Sequence, residues 1–125
     1  ADEPSAAIGE IGLDHAVRER NDAEQEEVFI AQLRLAKQMN RPACIHCRKA
    51  WDVLPDILRS LRGLPAGFLL HSYSGSAELV RPLAELGAYF SFSGSVTRSR
   101  NKQGHTSAVA APPDRLLLET DAPDI

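Results

Sequence analysis

The chain has 125 residues, 43% of them apolar and 25% charged, with a formal net charge of −3. That supports one domain with a substantial core and the composition of an ordinary soluble globular protein. The negative balance gives no general attraction to nucleic acid, so such binding needs a local basic patch. No apolar run approaches the ~18 residues of a membrane span, and the start, ADEPSAAIGE, lacks the basic and long apolar segments of a signal peptide.

Taken in order, Ala6 to Leu13 reads as a strand. Asn21 or Asp22 caps a helix whose early Glu24, Glu26 and Glu27 suit its positive end. Phe29, Leu33 and Ala36, with Val28, Leu35 and Met39, form its apolar stripe, and Asn40 ends it. Pro42 opens a strand over Ala43 to His46. The segment KAWDVLPDILRSLRG is a helix burying Trp51, Leu54, Ile57, Leu58 and Leu61. Pro55 delays or kinks its first turns and Gly63 stops it. Gly67 to His71 is a strand, and Ser76 caps a helix that runs to Leu86 with a bend at Pro82 and a stop at Gly87. AYFSFSGS is the next strand. Residues 97–113 read weakly, with a short helix over Thr106 to Ala111, and Arg115 to Thr120 is the last strand.

Strands alternating with helices imply a parallel sheet, and continuously apolar strands imply that both of its faces are covered. In such folds functional residues gather at the C-terminal ends of the strands. Polar residues stand at or near four such ends: Glu10 in AAIGEIGLD, His46 in RPACIHCRKA, His71 in AGFLLHSYSG and Asp121 in RLLLETDAP. Imidazole and carboxylate are ordinary ligands of Zn, Mn and Fe, and carboxylate suits Mg. One buried histidine is usually a satisfied core residue; two histidines and two acids in matching positions point to a metal site. Cys44 and Cys47 form a CxxC pair, but side chains three apart on a strand face opposite ways. A redox role is therefore a distant alternative, and a reduced, cytoplasmic protein is the expectation.

The segments IGEIGLD, QEEVFIAQLRLAKQMNRPACIHCR, LLHSYSGS, LGAYFSFSGSVT and DRLLLETDAP resemble, in order and over nearly the whole chain, the TatD family of metal-dependent hydrolases of the amidohydrolase superfamily. The resemblance implies an α/β fold, a partial TIM-type (β/α) barrel of about five parallel strands. It implies a single domain over 1–125 that corresponds to the later strands, with both ends of the chain reading as cut from something longer. The family's usual site holds two divalent metals, and Mg, Mn and Zn are not distinguished. Carried over, Glu10 matches the shared ligand, His46 and His71 the histidines of one position, and Asp121 the last-strand ligand and proton acceptor for a metal-activated water. The His-x-His pair that completes the other position is absent from these 125 residues.

The implied activity is a deoxyribonuclease acting on DNA or another phosphodiester. The alternative is an inactive remnant that binds one metal or a partner chain. Arg48 follows His46 in an HxR pattern and is a candidate for substrate phosphate. Arg98, Arg100 and Lys102 form a basic loop that either meets a nucleic-acid backbone or is simply solvated. Ser72, Tyr73, Ser74 and Gly75 shape the pocket, and Glu119 either orients a ligand or faces solvent. Asp14 is read as a loop stabiliser, His15 as a minor ligand candidate, and His105 is unassigned. No membrane partner is expected, and open sheet edges invite self-association.

Overall fold

The computed structural model describes residues 5–120. Five strands alternate with four helices: β1 (Ile8–Asp14), α1 (Asp22–Gln38), β2 (Ala43–Arg48), α2 (Leu54–Ser60), β3 (Phe68–His71), α3 (Val80–Glu85), β4 (Ala88–Phe92), α4 (Lys102–Ala110) and β5 (Leu116–Leu118). All neighbouring strands pair in parallel in the order β1-β2-β3-β4-β5. This is the α/β architecture of a partial (β/α) barrel, the arrangement that alternating elements require when each strand crosses over through a helix. No helix among the described residues is long and apolar enough to cross a membrane.

Local chemistry explains the boundaries. The Asn21 side chain accepts from Glu24 N–H at 3.1 Å and starts α1. The helix ends with Asn40 in the left-handed region, where Asn40 N–H and Arg41 N–H donate back to Lys37 O and Ala36 O, the closing pair of a Schellman turn. The same pair closes α2, but the left-handed residue after the cap is Arg62, one position before the expected Gly63. Pro55 lies in the first turn of α2, so the helix starts only at Leu54 and Trp51 sits in the preceding turn. The expected bend at Pro82 is a 3-10 turn over Ala77–Leu79 that leads into α3. In the weakly read stretch, α4 begins four residues earlier than expected. Asn101 caps it by accepting from Gly104 N–H at 3.0 Å.

The strands bury their helix-packed face completely and the other face in part, with Ser91 of β4 also buried there. Ile11 and Leu13 of β1, Ala43, Ile45 and Cys47 of β2, Phe68 and Leu70 of β3, and Ala88, Phe90 and Phe92 of β4 are buried. They join one core with Phe29, Leu33 and Ala36 of α1, Leu54 and Leu58 of α2 and Val80 and Leu83 of α3. The alternate positions Cys44, His46, Leu69 and His71 are half-buried. In a (β/α) barrel this second face is the inward one, and the chain supplies only part of such a barrel. An apolar residue such as Leu69 on the second face made the strands read as continuously apolar. The stripe of α1 also splits: Phe29, Leu33 and Ala36 are fully buried, whereas Val28, Leu35 and Met39 are exposed. Strand β5 is shorter than expected and pairs on one side only, which leaves Leu116, Leu117 and Leu118 open, the last at 81% exposure.

Gly12 sets the closest approach in the sheet. It stands level with His46 in the β1–β2 register, and a Cβ built on it would lie 1.7 Å from the His46 carbonyl oxygen. That oxygen is backbone and cannot swing aside. Gly12→Ala should therefore lower stability by about 3 kcal/mol or more, measured by denaturant unfolding. A change under about 1 kcal/mol would mean that β1 and β2 part without cost.

Candidate metal centre

His46 is the hub of the first cluster. Its Nδ1 lies 3.4 Å from Glu10 Oε1, and its Nε2 lies 3.0 Å from Asp14 Oδ2. Asp14 is in turn held from several directions. Its Oδ1 accepts from Ala16 N–H at 2.9 Å. Its backbone is gripped by the amide of Gln25 on α1, which accepts from Asp14 N–H and donates to Asp14 O, both at 3.0 Å. Burial alone would raise the Asp14 carboxyl. The Ala16 and His46 hydrogen bonds, with the charges of His46 and Arg48, outweigh it and hold the carboxyl below its ordinary value.

The second cluster is His71 with Glu119. The β2–β3 register sets His71 directly beside His46. His71 Nδ1 contacts Glu119 Oε2 just past the end of β5. Of the two readings of Glu119, the contact with His71 is the one observed. Its other oxygen, Oε1, is buried without a hydrogen-bond partner, an acceptor left for a cation or a further donor to satisfy. Asp121 lies outside the described residues.

Imidazole and carboxylate oxygen form a donor set that suits a divalent cation. Glu10, His46 and His71 thus share one sheet region, and each histidine has a carboxylate partner. Among the described residues no three such side chains already form a metal cage. The expected trio of Glu10, His46 and His71 is therefore present as donors in pairs and is not assembled as a closed site.

A cavity of about 620 Å³ opens beside these residues. His46, Arg48 and His71 line it, with the loop Ser72 to Gly75 and with Ser93 and Asn101 from the segment after β4. Its volume falls in the range of small-ligand sites. Tyr73 anchors the loop. Its hydroxyl donates to Ser76 O at 2.6 Å, and its ring packs edge-on against Trp51 and Phe90, with centroids 4.8 and 5.1 Å away. Arg98, Arg100 and Lys102 are exposed next to the lining residues Val96 and Asn101. His15 lies 3.7 Å from Asp22, which also meets Arg20 at 2.8 Å, apart from both histidine clusters. His105 donates to Val96 O at 2.5 Å and ties α4 to the turn after β4.

The cysteines behave as the strand geometry expects. Cys47 is buried on the helix side and Cys44 lies on the opposite, half-buried side. Burial, with the charges of Asp52 and Asp14, pushes the Cys47 thiol up to about 12 against one Ala50 hydrogen bond. A redox CxxC needs the reverse, a stabilised thiolate.

Gln25 is the site residue that pattern reading passed over. It lies inside the helix-period run of α1, and only its contact with the end of β1 distinguishes it from a solvated polar position.

The whole chain, residues 1–125, matches the family model described as TatD related DNase. It is 39% identical over 123 residues to "Uncharacterized metal-dependent hydrolase YabD" of Bacillus subtilis, covering 98% of this chain and 48% of that protein. It is 36% identical to "3'-5' ssDNA/RNA exonuclease TatD" of Edwardsiella piscicida, covering 94% and 45%. The solved structure of the TatD homologue YJJV from Escherichia coli superposes with a TM-score of 0.87 at 34% identity, over 94% of this chain and 45% of that one. The chain therefore spans about half the length of the relatives it matches. With the family model matched from end to end and the parallel sheet shared with a solved homologue, the chain belongs to the TatD family.

Proposed function

We propose that the chain contributes part of the active site of a divalent-metal-dependent hydrolase acting on phosphodiester bonds of DNA. One observation carries this reading most: His46 and His71 stand side by side on adjacent strands, each against a carboxylate, at the wall of a cavity that Arg48 also lines. The description of the family as TatD related DNase and the exonuclease name of the Edwardsiella relative support the nuclease substrate.

In this reading Glu10, His46, His71 and Asp121 hold the metal. A divalent cation supplies Lewis acidity at a phosphoryl oxygen and eases the deprotonation of water. Asp121 accepts a proton, Arg48 binds a phosphate oxygen through its forked N–H groups, and the basic loop Arg98 to Lys102 steers the strand toward the cavity. A second reading, metal or partner binding without hydrolysis, is favoured by the lack of a His-x-His pair in these 125 residues, which leaves one of the family's two metal positions without two of its ligands.

The test is DNA hydrolysis with added Mg, Mn or Zn, by this chain alone and supplemented with the His-x-His strand region of a full-length relative. Metal-dependent cleavage should rise strongly on supplementation, and His46→Ala or His71→Ala should lower it by about 100-fold or more. Metal uptake without cleavage under every condition would support the second reading instead.

The outer strands β1 and β5 also support self-association, with Leu118 the most exposed large apolar side chain of the described strands. Sedimentation should show oligomers that Leu118→Lys shifts toward monomer. A wild-type chain that stays monomeric at high concentration would remove the proposal.

A further inference from the structure

We infer that Asp14, held in place by Gln25, is a positioning residue that fixes His46 with its proton on Nε2 and its Nδ1 lone pair facing Glu10. The inference rests on the reading of His46 as a metal ligand and extends it to two residues that make no contact with the metal themselves.

The argument is geometric. The two ring nitrogens of a neutral imidazole are not equivalent, and the partner of one decides what the other offers. His46 Nε2 is 3.0 Å from Asp14 Oδ2, a normal hydrogen-bond length, whereas Nδ1 is 3.4 Å from Glu10 Oε1, too long for a good one. An ionised carboxylate only accepts, so the shorter contact puts the ring proton on Nε2. That leaves Nδ1 as the donor atom on the side of Glu10, where the two would share a cation.

The carboxylate can do this only if it cannot turn away. Ala16 N–H holds Oδ1 and so sets the plane of the carboxyl group. The Gln25 amide uses both its ends on the Asp14 backbone. Since α1 is anchored through Phe29, Leu33 and Ala36 in the core, a rigid helix is coupled through two hydrogen bonds to the end of β1, and through Asp14 to the ring of His46. A carboxylate that orients a ligating histidine is a general device for raising ligand basicity and fixing ring orientation, and its loss typically costs 10–100-fold in metal affinity. A loop stabiliser alone would need neither the Nε2 contact nor its alignment opposite Glu10.

The test uses the full chain with ¹⁵N-labelled histidine. Ring nitrogen shifts of the metal-free protein at about pH 8 report which nitrogen carries the proton, and titration with Zn or Mn reports affinity. Wild type should show His46 protonated at Nε2. Asp14→Ala should lose that preference and bind metal about 10–100-fold more weakly. Asp14→Asn keeps an acceptor oxygen and should recover most of both readouts. Gln25→Ala should fall between, because Ala16 still holds the carboxylate. Far-ultraviolet circular dichroism and unfolding midpoints identify any variant that has simply failed to fold, and Asp14→Asn and Gln25→Ala carry the test if Asp14→Ala is one. A proton on Nδ1 in wild type would overturn the inference, as would a folded Asp14→Ala with affinity within twofold of wild type. Undiminished metal binding by His46→Ala would instead overturn the assignment of His46 as a ligand, separately from its tautomer.

Discussion

The parallel register of β1, β2 and β3 is the constraint on which the site depends. Parallel strands run in one direction, so their C-terminal ends lie along one edge of the sheet. Here the register sets Gly12 beside His46 and His46 beside His71. A slip of one residue in β2 or in β3 would turn that strand's imidazole toward the helix-packed face. The core opposes any such slip. Ile11, Ile45, Leu70 and Phe90 lie in successive paired positions, and each is buried. Moving one strand would expose a row of large side chains, each worth about 1.5–3 kcal/mol of burial. Gly12 completes the arrangement, because only a residue without a Cβ lets β1 lie this close to the backbone of His46.

On this frame the carboxylates turn a pair of histidines into a chemical site. Glu10 and Asp14 approach opposite nitrogens of His46, and Glu119 reaches across from the end of β5 to His71. Each imidazole thus faces at least one carboxylate. The donors face the less buried side of the sheet, next to the cavity, while the opposite side carries the packing that holds them. Packing and the candidate metal donors are thus divided between the two faces of the same strands, an arrangement that alternation along a strand makes available.

Much of this was legible in the sequence. The order of elements, the strand ends bearing His46 and His71, the caps at Asn21 and Gly87, and the opposite facing of Cys44 and Cys47 all follow from local periodicity and turn chemistry, whereas Glu10 lies in the first half of β1, four residues before its end. What was hidden depended on contacts distant in sequence. Asp14, read as a loop stabiliser, meets His46 only once β1 pairs with β2, and Gln25 is a polar residue at an unremarkable position until α1 folds back over β1. The choice between the two readings of Glu119 could be made only once β5 was placed two strands from β3. The start of α4 was masked by Gly104, a poor helix former, and betrayed only by the cap at Asn101. The half-exposed second face of the sheet was not legible as such, because apolar composition does not say what covers a strand. The exposed Val28, Leu35 and Met39 of α1 were misread for the same reason: helical spacing identifies apolar faces but does not say which of them has a neighbour.

The central claim is that the strand register brings Glu10, His46 and His71 to a common divalent cation. Anomalous diffraction from crystals of the chain loaded with Zn or Mn tests it most directly. The account predicts a metal peak at the C-terminal ends of β1 to β3, with His46 Nδ1 and a Glu10 oxygen at about 2.0–2.2 Å for Zn and His71 among the ligands. A peak at Cys44 or His15, or a metal held with His46 and His71 both uninvolved, would contradict it.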